Sequence, residues 1–141
     1  MSFYLDTSAL VCALTREAEA PRVNKWLRAR EPATVLISEW THTEVASALA
    51  LKLRTGALTL EARAEAASVF AQLAANSLPT LAVTTEHFET AAHFAARHDL
   101  GLRAGDALHL AIARQTGLSV VTLDNQMAGA ALELGIPVEH F

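Results

Sequence analysis

The chain has 141 residues, of which 52% are hydrophobic and 18% charged, and its 15 acidic and 11 basic side chains give a net charge of −4. This length fits one compact domain with a sizeable core, and the composition excludes an intrinsically disordered chain. The acidic balance argues against a broad basic surface for duplex DNA, although cations held among clustered acids would make a cleft locally positive. The single cysteine, Cys12, excludes an internal disulfide.

The amino terminus lacks the basic segment and apolar run of a secretory signal. No stretch approaches the roughly 18 apolar residues of a membrane span. We therefore expect a cytoplasmic protein that does not contact a membrane.

Apolar runs and helical patterns alternate from the first residues onward. In the first half of the chain they predict a strand over 3–5, a helix over 8–14, a helix from Pro21 to near Glu31, a strand over 34–37 and, after Ser38, a helix over 39–54. In the second half they predict a helix over 59–76, a strand over 81–84, a helix over 86–98, a helix from Gly105 to Gly117, a strand over 119–123, a helix over 125–134 and a last short strand. The pattern of the helix over 86–98 predicts that Phe88, Ala91 and Ala95 face inward.

The predicted strands are continuous apolar runs rather than half-buried alternations. That pattern is typical of a parallel sheet covered on both faces. We expect an α/β fold in which about five twisted parallel strands are flanked by helices on both faces, built as a single domain over residues 1–141.

Four acidic residues follow predicted strands or begin the helices after them. Asp6 ends the first strand, Asp124 ends the fourth, Glu44 lies early in the helix after the second strand, and Asp106 begins a helix. Ligands of open parallel sheets bind beyond the carboxyl ends of the strands. The four carboxylates are therefore expected to converge on one cleft.

Each of these acids also has a simpler explanation. Asp6 and Asp124 can cap helices, Asp106 can cap its helix or interact with the helix dipole, and Glu44 completes a capping-box pattern with Thr41. Capping does not require four acids, however, and packed carboxylates repel one another. A hard divalent cation such as Mg²⁺ or Mn²⁺ removes that repulsion and supports phosphoryl chemistry.

Other polar residues near these acids are candidates for accessory roles. Thr7 and Ser8 are either oxygen donors near a metal or residues that start a helix, and His109 lies one turn after Asp106. Arg103 is either a phosphate contact or a solvated loop charge. His87, His93, His98 and His140 are expected at the surface.

The chain resembles the PIN domain family, in particular the VapC toxins of VapBC systems. Four segments carry the resemblance over the whole chain: YLDTSAL at 4–10, TEVASAL at 43–49, LRAGDALHLAIA at 102–113 and VVTLDNQM at 120–127. They match the four family motifs and assign Asp6, Glu44, Asp106 and Asp124 as the catalytic, metal-binding acids.

The resemblance implies a Mg²⁺- or Mn²⁺-dependent endoribonuclease that dimerises and is inhibited by a small antitoxin. In such an enzyme Ser8 or Thr122 can add an oxygen ligand. The RNA substrate would be read in single-stranded or looped segments.

Two other classes stay open at the level of sequence. One is a phospho-acceptor or phosphatase domain, which also places an aspartate after a buried strand, although the D-x-D-x-T pattern is absent around Asp6. The other is a PIN-fold protein without a toxin role, acting in RNA processing or as a non-catalytic interaction module.

Overall fold

The computed structural model describes residues 1–141 and contains five strands and seven α-helices. In chain order the strands are β1 (Phe3–Leu5), β2 (Val35–Ser38), β3 (Thr80–Leu81), β4 (Ser119–Thr122) and β5 (Val138–His140). The helices are α1 (Thr7–Leu14), α2 (Ala20–Arg28), α3 (Glu39–Arg54), α4 (Leu60–Asn76), α5 (Thr85–Ala96), α6 (Ala104–Thr116) and α7 (Asn125–Glu133), with a 3₁₀ turn at His98–Leu100. None of the helices combines the length and the apolar character that crossing a membrane requires.

The strands form one parallel sheet in the order β3-β2-β1-β4-β5, which confirms the expected α/β fold. β1 is central, and its Tyr4 pairs with Leu36 of β2 and Val120 of β4. Because all strands run in the same direction, their carboxyl ends meet at one edge of the sheet. The residues that follow β1 and β4 are therefore neighbours in space.

The sheet separates two apolar cores, as alternation along β1 requires. Phe3 and Leu5 point into a core with residues of α1 to α4, whereas Tyr4 points into a core with residues of α5, α6 and α7. Successive side chains of a strand point to opposite faces. Both faces of the sheet are thus covered by helices, as expected, and Cys12 is buried in the first core.

Some predicted boundaries were wrong. β3 covers only Thr80–Leu81, not 81–84, because the chain turns there into α5 and the Thr84 hydroxyl accepts a hydrogen bond from the His87 amide at 3.3 Å. α2 ends at Arg28 rather than near Glu31, because a tight turn at residues 31–34 leads into β2.

The prediction for the buried face of α5 was confirmed at Ala91 but wrong at Phe88 and Ala95. The sequence pattern favoured Phe88, Ala91 and Ala95, but the buried residues are His87, Ala91 and Phe94, and Phe88 is 57% exposed. His87 is not at the surface because its Nδ1 accepts a hydrogen bond from the Thr84 amide at 3.0 Å. This capping hydrogen bond fixes the first turn of α5 so that His87 faces inward.

Candidate active site

Asp6 lies between β1 and α1 and is not acting as a helix cap. It occupies the N-cap position, but its side chain accepts no hydrogen bond from a backbone amide of the helix. Instead Asp6 Oδ2 accepts hydrogen bonds from Ser8 Oγ at 2.6 Å and from Thr122 Oγ1 at 2.8 Å. The residue is only 3% exposed, and the hydrogen bonds from these hydroxyls stabilise its negative charge. The carboxylate is thus held at the sheet edge by residues from two different elements.

Asp124 follows β4 and does cap the next helix. Its Oδ1 accepts a hydrogen bond from the Met127 amide at 3.0 Å, at the start of α7. Its own amide donates to Thr122 Oγ1 at 2.9 Å, so the hydroxyl that contacts Asp6 also contacts the chain at Asp124. The ends of β1 and β4 are joined through Thr122.

Glu44 points from α3 toward α1 and α6 and takes no part in capping. The hydroxyl of Thr41 accepts the hydrogen bond from the Ser38 amide at 3.1 Å, so this end of α3 is satisfied without Glu44. Glu44 Oε1 accepts a hydrogen bond from Thr7 Oγ1 at 2.7 Å and is also bonded to His109 Nε2. The side chain of Glu44 is 25% exposed.

His109 is completely buried beneath these acids. Its Nδ1 lies 2.6 Å from the Tyr4 hydroxyl, which lies 2.8 Å from Ser38 Oγ. Burial opposes a charged ring, but the bond to Glu44 and the charge of Asp6 together raise the pKa of His109.

The charge of His109 acts on Glu44 in turn. Burial would raise the pKa of the Glu44 carboxyl, but the hydrogen bond and the charge of His109, with a smaller effect of Thr7, lower it overall. Glu44 is therefore held as a carboxylate.

Asp106 lies in the first turn of α6 and is the acid that its neighbours perturb most clearly. Its pKa is raised to about 6, first by burial and then by the negative charges of Asp6 and Asp124, with His109 acting in the opposite direction. When neighbouring carboxylates make a carboxyl harder to ionise, a bound cation would stabilise its ionised form.

Arg103 occupies the N-cap position of α6, is exposed and makes no ion pair. Its side chain does not cap the helix. It therefore remains a free positive charge, three residues before Asp106.

The sequence interpretation missed three residues that shape this site. Tyr4 was treated only as part of an apolar strand, yet a tyrosine in a buried strand must find a partner for its hydroxyl, which was an available signal. Trp40 and Gly105 lie beside Glu44: a Cβ atom added at Gly105 would be 2.8 Å from Glu44 Oε2 and 3.3 Å from the Trp40 ring. No local pattern of sequence indicates that contact.

The side chains as they stand contain no group of three or more His, Cys, Asp or Glu residues arranged to hold a metal ion. Several of the acids are turned to other partners: Asp124 to a helix amide, Glu44 to His109 and Thr7. The donors near Asp106 are nevertheless carboxylate and hydroxyl oxygens, and Asp106 experiences the charges of its neighbours. This donor set fits Mg²⁺ or Mn²⁺ and does not fit a thiolate-bound metal.

A cavity of about 590 Å³ lies elsewhere, near the amino end of β2. Its lining includes Leu27, Val35, Leu73 and Leu78 and none of the candidate site residues. The candidate site is thus an open edge of the sheet rather than this cavity.

The chain belongs to the PIN domain family, because the family's model matches residues 3–132. This match covers all four motif segments, and it favours a PIN domain over the phospho-acceptor and phosphatase alternatives. A comparison with curated protein sequences found no significant match.

Several solved structures share the fold. VapC20 of Mycobacterium tuberculosis, a toxin that cleaves the sarcin-ricin loop, has a TM-score of 0.71 at 22% identity, with 92% of this chain and 95% of that chain covered. PAE2754 of Pyrobaculum aerophilum has a TM-score of 0.68 at 25% identity, covering 92% and 86% of the two chains. VapBC-5 of Mycobacterium tuberculosis, from the VapBC family of toxin–antitoxin systems, has a TM-score of 0.63 at 24% identity, covering 99% and 97%.

Proposed function

We propose that this chain is a Mg²⁺- or Mn²⁺-dependent endoribonuclease in which Asp6, Glu44, Asp106 and Asp124 bind the ion, directly or through water. The observation that carries the proposal is the geometry at Asp6, a carboxylate 3% exposed at the end of β1 that is held by the hydroxyls of Ser8 and Thr122 instead of capping α1. Burial, together with the charges of Asp6 and Asp124, also raises the pKa of Asp106 to about 6. Acids that oppose one another's ionisation are stable together at neutral pH when a cation is bound among them.

The residues of this chain would contribute to phosphodiester hydrolysis mainly by holding the acids in place. Ser8 and Thr122 fix Asp6, and Thr7 and His109 fix Glu44, so neither carboxylate has to be ordered when substrate binds. The divalent ion, when bound, would polarise the attacking water and offset charge on the phosphoryl oxygens.

Arg103 is the residue suited to contact RNA at this edge, because it is exposed and has no acidic partner. A guanidinium binds phosphate oxygens through two parallel hydrogen bonds. With a net charge of −4, the chain would depend on such a contact and on the ion to attract RNA.

The proposal extends to a toxin of a type II toxin–antitoxin system in the cytoplasm. Its support is the likeness to VapC20, described as a toxin that cleaves the sarcin-ricin loop, and to VapBC-5, described as a toxin–antitoxin system. The partners would be RNA, a small antitoxin protein and a second copy of this chain, with residues 1–141 acting as one PIN-like domain.

The test is cleavage of a labelled, partly single-stranded RNA by the purified chain. We expect cleavage with Mn²⁺ or Mg²⁺ and none with EDTA. Asp6→Asn should lower the cleavage rate about 100-fold or more, because removal of one charged ligand weakens binding of the ion. Glu61→Gln, which changes an exposed acid of α4, should cleave like the parent. Cleavage in EDTA, or an active Asp6→Asn, would contradict the proposal.

The toxin role has a separate readout. Overproduction of the chain should arrest growth, and Asp6→Asn or co-expression of a short neighbouring reading frame should relieve the arrest. An active nuclease that leaves growth unaffected would remove the toxin role and leave a ribonuclease that acts in RNA processing.

A further inference from the structure

The two oxygens of the Glu44 carboxylate have different surroundings. Oε1 is bonded to Thr7 Oγ1 and to His109 Nε2. Oε2 lies against Gly105, on the side where the indole of Trp40 also approaches that glycine. With Oε1 held by two donors, the plane of the carboxylate is fixed, and Oε2 is the oxygen that remains for another ligand.

His109 is itself held in one orientation from the opposite side of its ring. The Tyr4 hydroxyl lies 2.6 Å from Nδ1, and Ser38 Oγ holds that hydroxyl at 2.8 Å. Tyr4 and His109 are both completely buried. Nε2 can carry a proton in the neutral and in the charged ring, so the contact with Glu44 does not depend on the protonation state of His109.

Gly105 and Trp40 restrict Glu44 on the other side. A Cβ at Gly105 would come within 2.8 Å of Oε2, a distance at which the carboxylate has to move. The indole N–H of Trp40 is buried without a hydrogen-bond partner, and its nitrogen would be 3.5 Å from the same Cβ. Glu44 is thereby confined between α6 and the start of its own helix.

A buried histidine that served packing alone would need no such arrangement. An apolar side chain would fill the same volume without the cost of burying polar groups. Here each side chain of the series Ser38, Tyr4, His109 and Glu44 is hydrogen-bonded to the next, and the series ends on a proposed ligand of the ion.

We propose that His109, held by Tyr4, is a positioning residue that fixes Glu44 for divalent-ion binding, and that Gly105 is required because no larger residue leaves room for Oε2. This inference rests on the proposed function, since it assumes that Glu44 is a ligand. Partners that orient a metal ligand in this way typically change metal affinity by about 10–100-fold when removed.

The experiment measures Mn²⁺ affinity by electron paramagnetic resonance, with RNA absent, for the parent chain and a set of variants. His109→Leu should weaken Mn²⁺ binding about 10-fold or more, whereas His109→Gln should stay within about 3-fold of the parent, because the glutamine amide can still donate to Glu44. His93→Leu, which alters an exposed histidine of α5, should bind like the parent. Glu44→Gln is the reference for loss of the ligand itself.

Two further variants keep the inference testable if His109→Leu does not fold. Tyr4→Phe removes only the hydroxyl that holds His109, and it should weaken Mn²⁺ binding by about 3–10-fold. Gly105→Ala leaves every hydrogen bond of the series in place and favours the helix, yet it should weaken binding because Oε2 is displaced.

The outcomes separate the inference from the proposed function. If Glu44→Gln weakens binding but His109→Leu, Tyr4→Phe and Gly105→Ala do not, the positioning role is wrong and the metal site stands. If His109→Gln loses as much affinity as His109→Leu, the histidine acts by packing, and the role is wrong. If Glu44→Gln binds like the parent, the assignment of Glu44 fails and the inference fails with it.

Discussion

Asp6 and Asp124 follow neighbouring parallel strands in the same way, yet their side chains make different contacts. Asp124 accepts a hydrogen bond from the Met127 amide, whereas Asp6 accepts none from a helix amide and is bonded to the hydroxyls of Ser8 and Thr122. Asp6 is therefore not explained by capping, while Asp124 combines a cap with its proposed role at the site. At the scale of single residues, this difference separates effects on stability from effects on activity.

Two substitutions at Asp124 should separate these effects. Asp124→Asn keeps an oxygen for the Met127 amide but loses the charge, so we expect unchanged stability together with a loss of metal-dependent cleavage. Asp124→Ala loses the cap as well, so its free energy of unfolding should be about 1 kcal/mol lower than that of the parent. Urea denaturation and RNA cleavage assays measure the two properties, and an Asp124→Asn variant destabilised as strongly as Asp124→Ala would contradict the separation.

The turn before β2 shows how a short segment sets the position of an element. The Thr34 amide donates to the Glu31 carbonyl at 3.3 Å, and Ala33 between them has φ of 62°. Pro32 followed by a residue with positive φ is the pattern of a type II turn, which favours glycine at the second central position. The alanine is tolerated here because the turn must return the chain to the sheet.

Ala33→Gly should stabilise the fold, because alanine pays a steric cost of about 1–2 kcal/mol in the left-handed region. Glycine makes the unfolded chain more flexible, which lowers the free energy of unfolding by about 0.4–1 kcal/mol. The net increase in the free energy of unfolding is therefore about 0.5–1 kcal/mol. Ala71→Gly, in the exposed middle of α4, is the matched control and should destabilise by about 1 kcal/mol. Thermal denaturation of both variants measures the two changes in stability. A destabilised Ala33→Gly would contradict the claim that Ala33 is strained.

At the scale of the whole molecule, the parallel sheet determines which charges interact. The charges that raise the pKa of Asp106 belong to Asp6, Asp124 and Glu44, which lie on or beside three other elements. None of them is a sequence neighbour of Asp106. The free-energy cost of ionising Asp106 is therefore a property of the fold, and it should affect the free energy of unfolding of the whole chain.

The contribution of Asp106 to the stability of the metal-free protein should become less favourable as pH rises from about 4 to about 6. Over this range the native chain, with the pKa of Asp106 at about 6, binds more protons than the unfolded chain, with a value near 3.8. Asp106→Asn should flatten this dependence and be more stable than the parent at pH 7.5, by about 1 kcal/mol after allowance for solvent screening. Urea denaturation in EDTA at several pH values measures the effect.

A control and a metal arm complete this experiment. Glu61→Gln, at an exposed acid, should keep the parent's pH dependence. Mn²⁺ should raise the stability of the parent more than that of Asp106→Asn, because an ion that binds only the folded chain stabilises it. An unchanged pH dependence in Asp106→Asn would contradict the repulsion between the acids.

Local sequence patterns were enough to predict the class of fold and the neighbourhood of the acids. Buried parallel strands are short, continuous apolar runs, so β1, β2 and β4 were visible, and the residues after β1 and β4 had to meet at one edge. The buried face of α5 was mispredicted because the side chain of His87 forms a cap, and a period of 3.6 residues does not by itself set the phase of a helix.

The sequence by itself determined an α/β chain with acids after its strands, because buried strands and helix starts are specified by adjacent residues, and its four motif segments gave the resemblance to the PIN family. Only the tertiary structure decided which atoms meet there. Tyr4 and His109 are 105 positions apart, and His109 and Glu44 are 65 apart, so their contacts arise from the packing of β1, α3 and α6. Hydrogen bonds depend on distances of a few tenths of an ångström, which no residue pattern along the chain specifies.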